Sequence, residues 1–223
     1  MTEAGGIRVK ICGITTTADA VGCLDLGADY LGLIFTDSPR RITAVQAADI
    51  RAQVPGARFV GVFADAEPQT VLETARRVPL DLIQLHGRES ASYCRDLAAG
   101  SGLQLIKAVR FDGQAQIAQD RLLDGQELGA FTAVEHFLFD LDKCAAGPAQ
   151  ALLPPLWREA SRQRQRGHSI FLAGGLSPAN VQEAVRVTDP FGVDVCSGVE
   201  KVPGRKDLRA VARFIREAKS GKS

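Results

Sequence analysis

Short, near-continuously apolar runs alternate with longer amphipathic stretches along the whole chain, and the runs at Ile7–Ile11, Asp29–Ile34, Arg58–Phe63, Asp81–Leu85, Leu103–Lys107, His136–Phe139, Ser169–Leu172 and Phe191–Val195 predict strands. A strand with one wet face alternates polar and apolar residues. Strands this uniformly apolar are covered on both faces, as in a parallel sheet flanked by helices. Between them, Thr17–Leu26 predicts a helix that stops at Gly27, and Thr43–Val54 one that stops before Pro55. Glu67-Pro68 and Ser177-Pro178 each predict a helix start, because a proline in the first turn forfeits no hydrogen bond. Eight strands alternating with eight helices predict an α/β chain folded as one single-domain (β/α)8 TIM barrel over residues 1–223. An open doubly wound sheet is the alternative that this element order leaves. The least regular segments are Leu123 to Val134 and Asp142 to Pro155, and in the second Gly147, Pro148, Pro154 and Pro155 predict a loop. A weak echo, Gly27-Ala28-Asp29, Pro79-Leu80-Asp81 and Gly192-Val193-Asp194, recurs at the spacing of βα units.

A length of 223 residues suits one such barrel, and 45% hydrophobic with 24% charged residues is the composition of a globular chain. Lys plus Arg number 27 against 26 for Asp plus Glu, a net charge of +1. That balance offers no field for nucleic acid or an anionic membrane, so a bound phosphate must be held locally. Five scattered cysteines with no Cys-x-x-Cys pair read as reduced thiols. The first residues lack the apolar core of a secretory signal, and no apolar run reaches the ~20 residues of a membrane span. A cytoplasmic protein is expected. With three histidines and no ligand spacing, no metal site is expected.

Barrel chemistry sits at the carboxyl ends of the strands. Strand alternation puts Lys10 and Cys12 on one parity, Gln84 and His86 on another strand's, Asp140 at the end of the sixth strand, and Asp194 with Cys196 on the eighth. Polar side chains unpaired in a barrel interior would be costly, so these predict a shared solvated site. Cys12, beside Lys10 and followed by Gly13, is the candidate reactive thiol, with Lys10 the source of a field that would lower its pKa. Cys23 and Cys94, inside helical patterns, read as small hydrophobes. Asp140 competes with Asp142 as an acid and with a simple capping role. Two glycine loops follow the last two strands, Ala173-Gly174-Gly175-Leu176-Ser177-Pro178 and Cys196-Ser197-Gly198-Val199-Glu200. Their backbone N–H groups are candidates to hold a phosphate, with Gly174, Gly175, Ser197 and Gly198 at its centre. Arg40-Arg41, after Ser38-Pro39, offers a guanidinium for a carboxylate or else a solvated loop. The run Arg158 to Arg166 reads as the wet face of a helix.

Val9-Lys10-Ile11-Cys12-Gly13-Ile14-Thr15, Gly27–Phe35, Leu85-His86-Gly87, Gly174-Gly175-Leu176, Val193-Asp194-Val195-Cys196-Ser197-Gly198-Val199-Glu200 and Pro203-Gly204-Arg205-Lys206-Asp207 resemble, in order and over nearly the whole chain, the phosphoribosylanthranilate isomerase family. The resemblance implies a (β/α)8 barrel of tryptophan biosynthesis. Its reaction is the cofactor-independent Amadori rearrangement of N-(5-phosphoribosyl)anthranilate to 1-(2-carboxyphenylamino)-1-deoxyribulose 5-phosphate. It further implies Cys12 as general base, Asp140 as general acid, Arg40 on the anthranilate carboxylate, Asp194 near the ribose, His86 in the substrate site, and the glycine loops on the phosphate. The implied partner is a small phosphorylated substrate, in a monomer or homodimer. Two departures stand out. The loop before Ser38 is one residue short of the family pattern, leaving Arg40 and Arg41 both open, and Leu141 to Pro148 lacks the family's Gly-Gly-x-Gly segment. Two rival readings remain: a Schiff-base aldolase using Lys10 or Lys107, and a non-catalytic sugar-phosphate-binding paralogue.

Overall fold

The computed structural model describes residues 6–111, 121–123, 126–141 and 149–222. Eight parallel strands close into a barrel: β1 (Arg8–Cys12), β2 (Tyr30–Ile34), β3 (Phe59–Phe63), β4 (Leu82–Leu85), β5 (Gln104–Phe111), β6 (His136–Leu141), β7 (Ile170–Leu172) and β8 (Gly192–Val195). The hydrogen-bonded order is β1-β8-β7-β6-β5-β4-β3-β2, so the open doubly wound alternative is excluded. Strands β5 and β6 run further than their apolar cores suggest. They stay in register through Ala108↔Leu138 to Arg110↔Asp140 and Phe111↔Leu141, because alternate positions still bury Val109, Phe111 and Phe139 against the outer layer.

Seven α-helices lie among the described residues: α1 (Thr17–Asp25), α2 (Ala44–Gln53), α3 (Pro68–Arg77), α4 (Ala91–Ser101), α5 (Ala149–Gln165), α6 (Val181–Thr188) and α7 (Leu208–Ser220). Between β5 and β6 the described residues form a short ribbon, Arg121–Leu123 with Gln126–Glu127, and a 3-10 turn at Leu128–Ala130, where an eighth helix was expected. The loop expected to reach Pro155 is also corrected. Pro154 and Pro155 lie inside α5, whose Leu152, Leu153, Leu156, Trp157 and Ala160 are buried at helical spacing. That apolar stripe holds the helix despite the missing N–H donors. The Ser177-Pro178 start is corrected as well: α6 begins at Val181. The Asn180 side chain accepts from Ser177 N at 2.8 Å and donates to Gly175 O at 3.0 Å, tying residues 175–180 into a turn.

Alternation sorts each strand into two faces. Val9, Ile11, Leu31, Leu33, Phe59 and Ile83 face the helices, whereas Tyr30, Val60, Leu82, Ile106, Leu138 and Phe171 fill the lower barrel. Gly192 leaves the room that Phe171 occupies, since a Cβ there would lie 2.5 Å from its ring. On this floor His136 is buried, bonded through Nδ1 to Ser169 Oγ at 2.7 Å and stacked on Phe191 at 4.4 Å. The sequence echo splits here. Asp29 and Asp81 precede β2 and β4 and accept the backbone N–H of Val9 and Phe59 at 2.9 and 2.7 Å. Asp194, by contrast, lies within β8 and points into the barrel.

Candidate active site

Above the filled floor the barrel opens into a cavity of about 500 Å³. Its walls carry Cys12 from β1, Gln84 and His86 from β4 and just beyond it, and Asp140 from β6. Asp194 and Cys196 come from β8 and its end, Arg40 from the loop after β2, and Gly174, Gly175, Ser197 and Gly198 from the two glycine loops. Every residue expected at the site by parity or resemblance therefore reaches one cavity except Lys10, which is buried behind Asp194. Asp142 and the segment through Pro148, where the sequence departs from the family pattern, lie outside the described residues.

One wall is a charged and thiol-bearing group. Lys10 is fully buried, with Nζ 2.8 Å from Asp194 Oδ1. Burial pulls its ammonium down, but Asp194 and the nearby Cys12 outweigh that, and Lys10 is held above its ordinary range. The Cys12 thiol is drawn down to about 6. Its largest cause is a hydrogen bond from Cys196, opposed by burial and helped by the positive charge of Lys10. Cys196, the donor, is pushed up by that same bond and by burial. The sequence identified Lys10 as the source of the field; the larger contributor is a second thiol. The two helical cysteines go the other way: burial pushes Cys23 to about 12 and Cys94 to about 11, which disfavours their thiolates.

The facing wall holds the carboxylate. Asp140 Oδ2 lies 3.4 Å from His86 Nε2, and His86 Nδ1 lies 2.9 Å from Gln84 Nε2. His86 thus links the Gln84 amide on one ring nitrogen to the Asp140 carboxyl on the other. Arg110, the register partner of Asp140, also lines the cavity. Sequence reasoning missed it by ending β5 at Lys107, although Ala108 and Arg110 continue the inward parity.

The two adjacent arginines part company. Arg40 reaches the cavity rim and is gripped by Glu200, which also accepts from Lys206 Nζ at 2.9 Å. Arg41 bridges to Ile34 and lines a separate groove between α2 and α3. The glycine loops interlock: Gly174 and Gly175 adopt φ of +76° and +69°, where a side chain is strained, and a Cβ on Gly198 would collide with the Leu176 carbonyl oxygen.

The lysines of the aldolase reading are not placed for it. Lys107 faces away from the cavity, fully buried, with Nζ on Gly87 O at 2.7 Å and Glu89 Oε2 at 2.8 Å. Lys10 is a paired ammonium, whereas an imine-forming amine must be neutral. Among the described residues no cluster of three or more His, Cys, Asp or Glu is arranged to hold a metal ion, and no helix is long and apolar enough to cross a membrane.

A family model for N-(5′-phosphoribosyl)anthranilate (PRA) isomerase matches residues 9–217. The N-(5′-phosphoribosyl)anthranilate isomerase of Myxococcus xanthus is 40% identical over 216 residues, covering 96% of this chain and 97% of its own. The crystal structure of the Thermotoga maritima phosphoribosyl anthranilate isomerase superposes with a TM-score of 0.81 at 35% identity, covering 96% of this chain and 98% of that one. A phosphoribosyl anthranilate isomerase solved in complex with reduced 1-(o-carboxyphenylamino)-1-deoxyribulose 5-phosphate superposes at 0.78 with 34% identity over the same shares. The match runs through every strand of the barrel and both glycine loops, and the chain belongs to the phosphoribosylanthranilate isomerase family.

Proposed function

We propose that this cavity isomerises N-(5′-phosphoribosyl)anthranilate to 1-(2-carboxyphenylamino)-1-deoxyribulose 5-phosphate, its family's step in tryptophan biosynthesis, with Cys12 as general base and Asp140 as general acid. The observation that carries this reading is the placement of a thiol drawn down to about 6 and a carboxyl group on facing walls of one cavity of about 500 Å³. That volume is within the range of sites for a small phosphorylated substrate.

Protonated Asp140 gives its proton to the furanose ring oxygen, and the aniline nitrogen lone pair expels that oxygen, leaving a Schiff base at C1′. The Cys12 thiolate then removes the C2′ proton. The C–H electron pair becomes the C1′=C2′ bond and the imine pair returns to nitrogen, giving an enolamine whose C2′ hydroxyl loses its proton as C1′ gains one, which leaves the ketone at C2′. C2′ is oxidised as C1′ is reduced within one molecule, so the chemistry requires no redox cofactor. Each proton transfer is worth about 10²–10⁴-fold.

Arg40 takes the anthranilate carboxylate, sharing or leaving Glu200. Asp194, fixed by Lys10, faces the ribose. His86 keeps the Asp140 carboxyl directed at the ring oxygen. The backbone N–H groups around Gly174, Gly175, Ser197 and Gly198 hold the phosphate, which a chain of net charge +1 must bind locally. A reduced Cys12 suits a reducing compartment such as the cytoplasm. The test is a fluorescence assay with freshly generated phosphoribosylanthranilate. The chain should deplete the anthranilate signal and Cys12→Ser should not; a wild-type chain that leaves the signal unchanged, yet binds the substrate, would leave only the sugar-phosphate-binding reading.

A further inference from the structure

We propose that Cys196 is a positioning residue for Cys12, its S–H donating to the Cys12 thiolate so that the base stays ionised and aimed into the cavity. The inference rests on the reading of Cys12 as base. It begins with register. Lys10 pairs with Asp194 and Ile11 with Val195 across β1 and β8, so the next residues, Cys12 and Cys196, leave the barrel side by side on the inward parity. Both sulfurs line the cavity and share its wall with Ile34 and Val62.

Glycines flank the pair. A Cβ on Gly32 would lie 2.7 Å from Cys12 Sγ, and one on Gly13 would lie 2.9 Å from Cys196 Sγ. The charged groups around the thiols are Lys10 on β1, Asp194 on β8, Arg40 from the loop after β2, and Glu200 and Lys206 from the ribbon that follows β8. Lys10 also holds Asp194 at 2.8 Å and favours the Cys12 thiolate, but it lowers Cys12 less than the hydrogen bond from Cys196 does, and burial opposes both. Lys206 Nζ is engaged by Glu200 at 2.9 Å and the Cys196 carbonyl at 3.2 Å, and reaches Cys196 Sγ as a donor only at 4.0 Å, which leaves the Cys196 proton free to point elsewhere. The competing acceptor for the Cys196 S–H is Glu200 Oε1, reached at 4.0 Å, the limit for sulfur, and that oxygen already accepts from Arg40 Nε, Lys206 Nζ and Gly204 N at 2.9, 2.9 and 3.2 Å. The Cys196 proton is therefore best used on Cys12. A thiol is a weak donor to a neutral acceptor, but a bond to a thiolate is charge-assisted, and it needs no second cation in the cavity.

The test compares wild type, Cys196→Ala and Cys196→Ser in two ways: the pH dependence of Cys12 alkylation by iodoacetamide, read by mass spectrometry at that residue, and the pH profile of kcat/KM. In Cys196→Ala the alkylation midpoint should rise by at least about one pH unit toward the free-thiol value of ~8.5. The acid limb of kcat/KM should rise with it, so that activity falls about fivefold or more near pH 6 and recovers near pH 9. Cys196→Ser restores a donor and should reverse most of both shifts. A Cys196→Ala midpoint equal to wild type, or a Cys196→Ser shifted as far as Cys196→Ala, would overturn the proposal. If alkylation shifts while the acid limb stays, the thiol pair stands and the assignment of Cys12 as base falls.

Discussion

Arg40 and Glu200 are locked in a two-toothed ion pair at the cavity rim, with Nη2 2.6 Å from Oε2 and Nε 2.9 Å from Oε1. Glu200 is nearly buried and held below the usual carboxylate range: burial raises it, and Arg40 and Lys206 more than offset that. The guanidinium is thus pre-set in a planar fork before any substrate carboxylate arrives.

Arg40→Ala should raise KM by about 10–100-fold with kcat changed far less, the loss of one charged hydrogen-bonding contact made equally in ground and transition states. Lys206 continues to hold Glu200, so the rim should remain folded. Equal losses in kcat and kcat/KM would instead place the Arg40 contact in the transition state.

Cys12→Ser and Asp140→Asn should each lower kcat by about 10²–10⁴-fold, as expected for removing a general base or acid. Both substitutions preserve shape, so melting temperatures should stay within a few degrees of wild type. Asp142→Asn should retain near-wild-type turnover. Loss of turnover in Asp142→Asn with activity kept in Asp140→Asn would reverse the assignment of the acid.

Gly198→Ala should weaken competitive inhibition by inorganic phosphate at least about tenfold, since a Cβ there meets the Leu176 carbonyl oxygen and drives the two loops apart. Inhibition constants in the variant matching wild type would show that the phosphate is held elsewhere.

The barrel was legible in the sequence because parallel strands buried on both faces leave continuous apolar runs, and all eight strands begin within one residue of the pattern's start. Parity alone brought Cys12, His86, Asp140 and Asp194 to one end. What it missed follows from what it measures. Arg110 was lost because a charged residue ends an apolar run even where the strand continues. Lys107, offered as a nucleophile of the aldolase reading, faces away from the cavity, because a lysine at the end of an apolar run does not say which face of the strand it occupies. The pairings of Arg40 with Glu200 and Cys12 with Cys196 join residues 160 and 184 positions apart, a closure that only the circular strand order reveals. The α5 helix was hidden by Pro154 and Pro155, whose local cost is outweighed by the buried face around them.

One buried ring on the barrel floor contributes to acid sensitivity. Burial draws His136 from 6.5 to about 4. Between those values the unfolded chain binds a proton that the native floor refuses, so native stability falls as pH falls through that window. The contribution is fully present above about 6.5 and exhausted near 4, and at about 1.4 kcal/mol per unit it amounts to about 3 kcal/mol. His136→Phe keeps an aromatic ring against Phe171 and Phe191 and removes the proton site. Wild type should therefore lose roughly 6–12 °C of melting temperature relative to the variant between pH 7 and pH 4, at ~2–4 °C per kcal/mol for a domain of this size. Every other group is common to the two proteins and cancels in the difference. Parallel melting curves for the two across that range would show that the buried ring takes up its proton in the folded state.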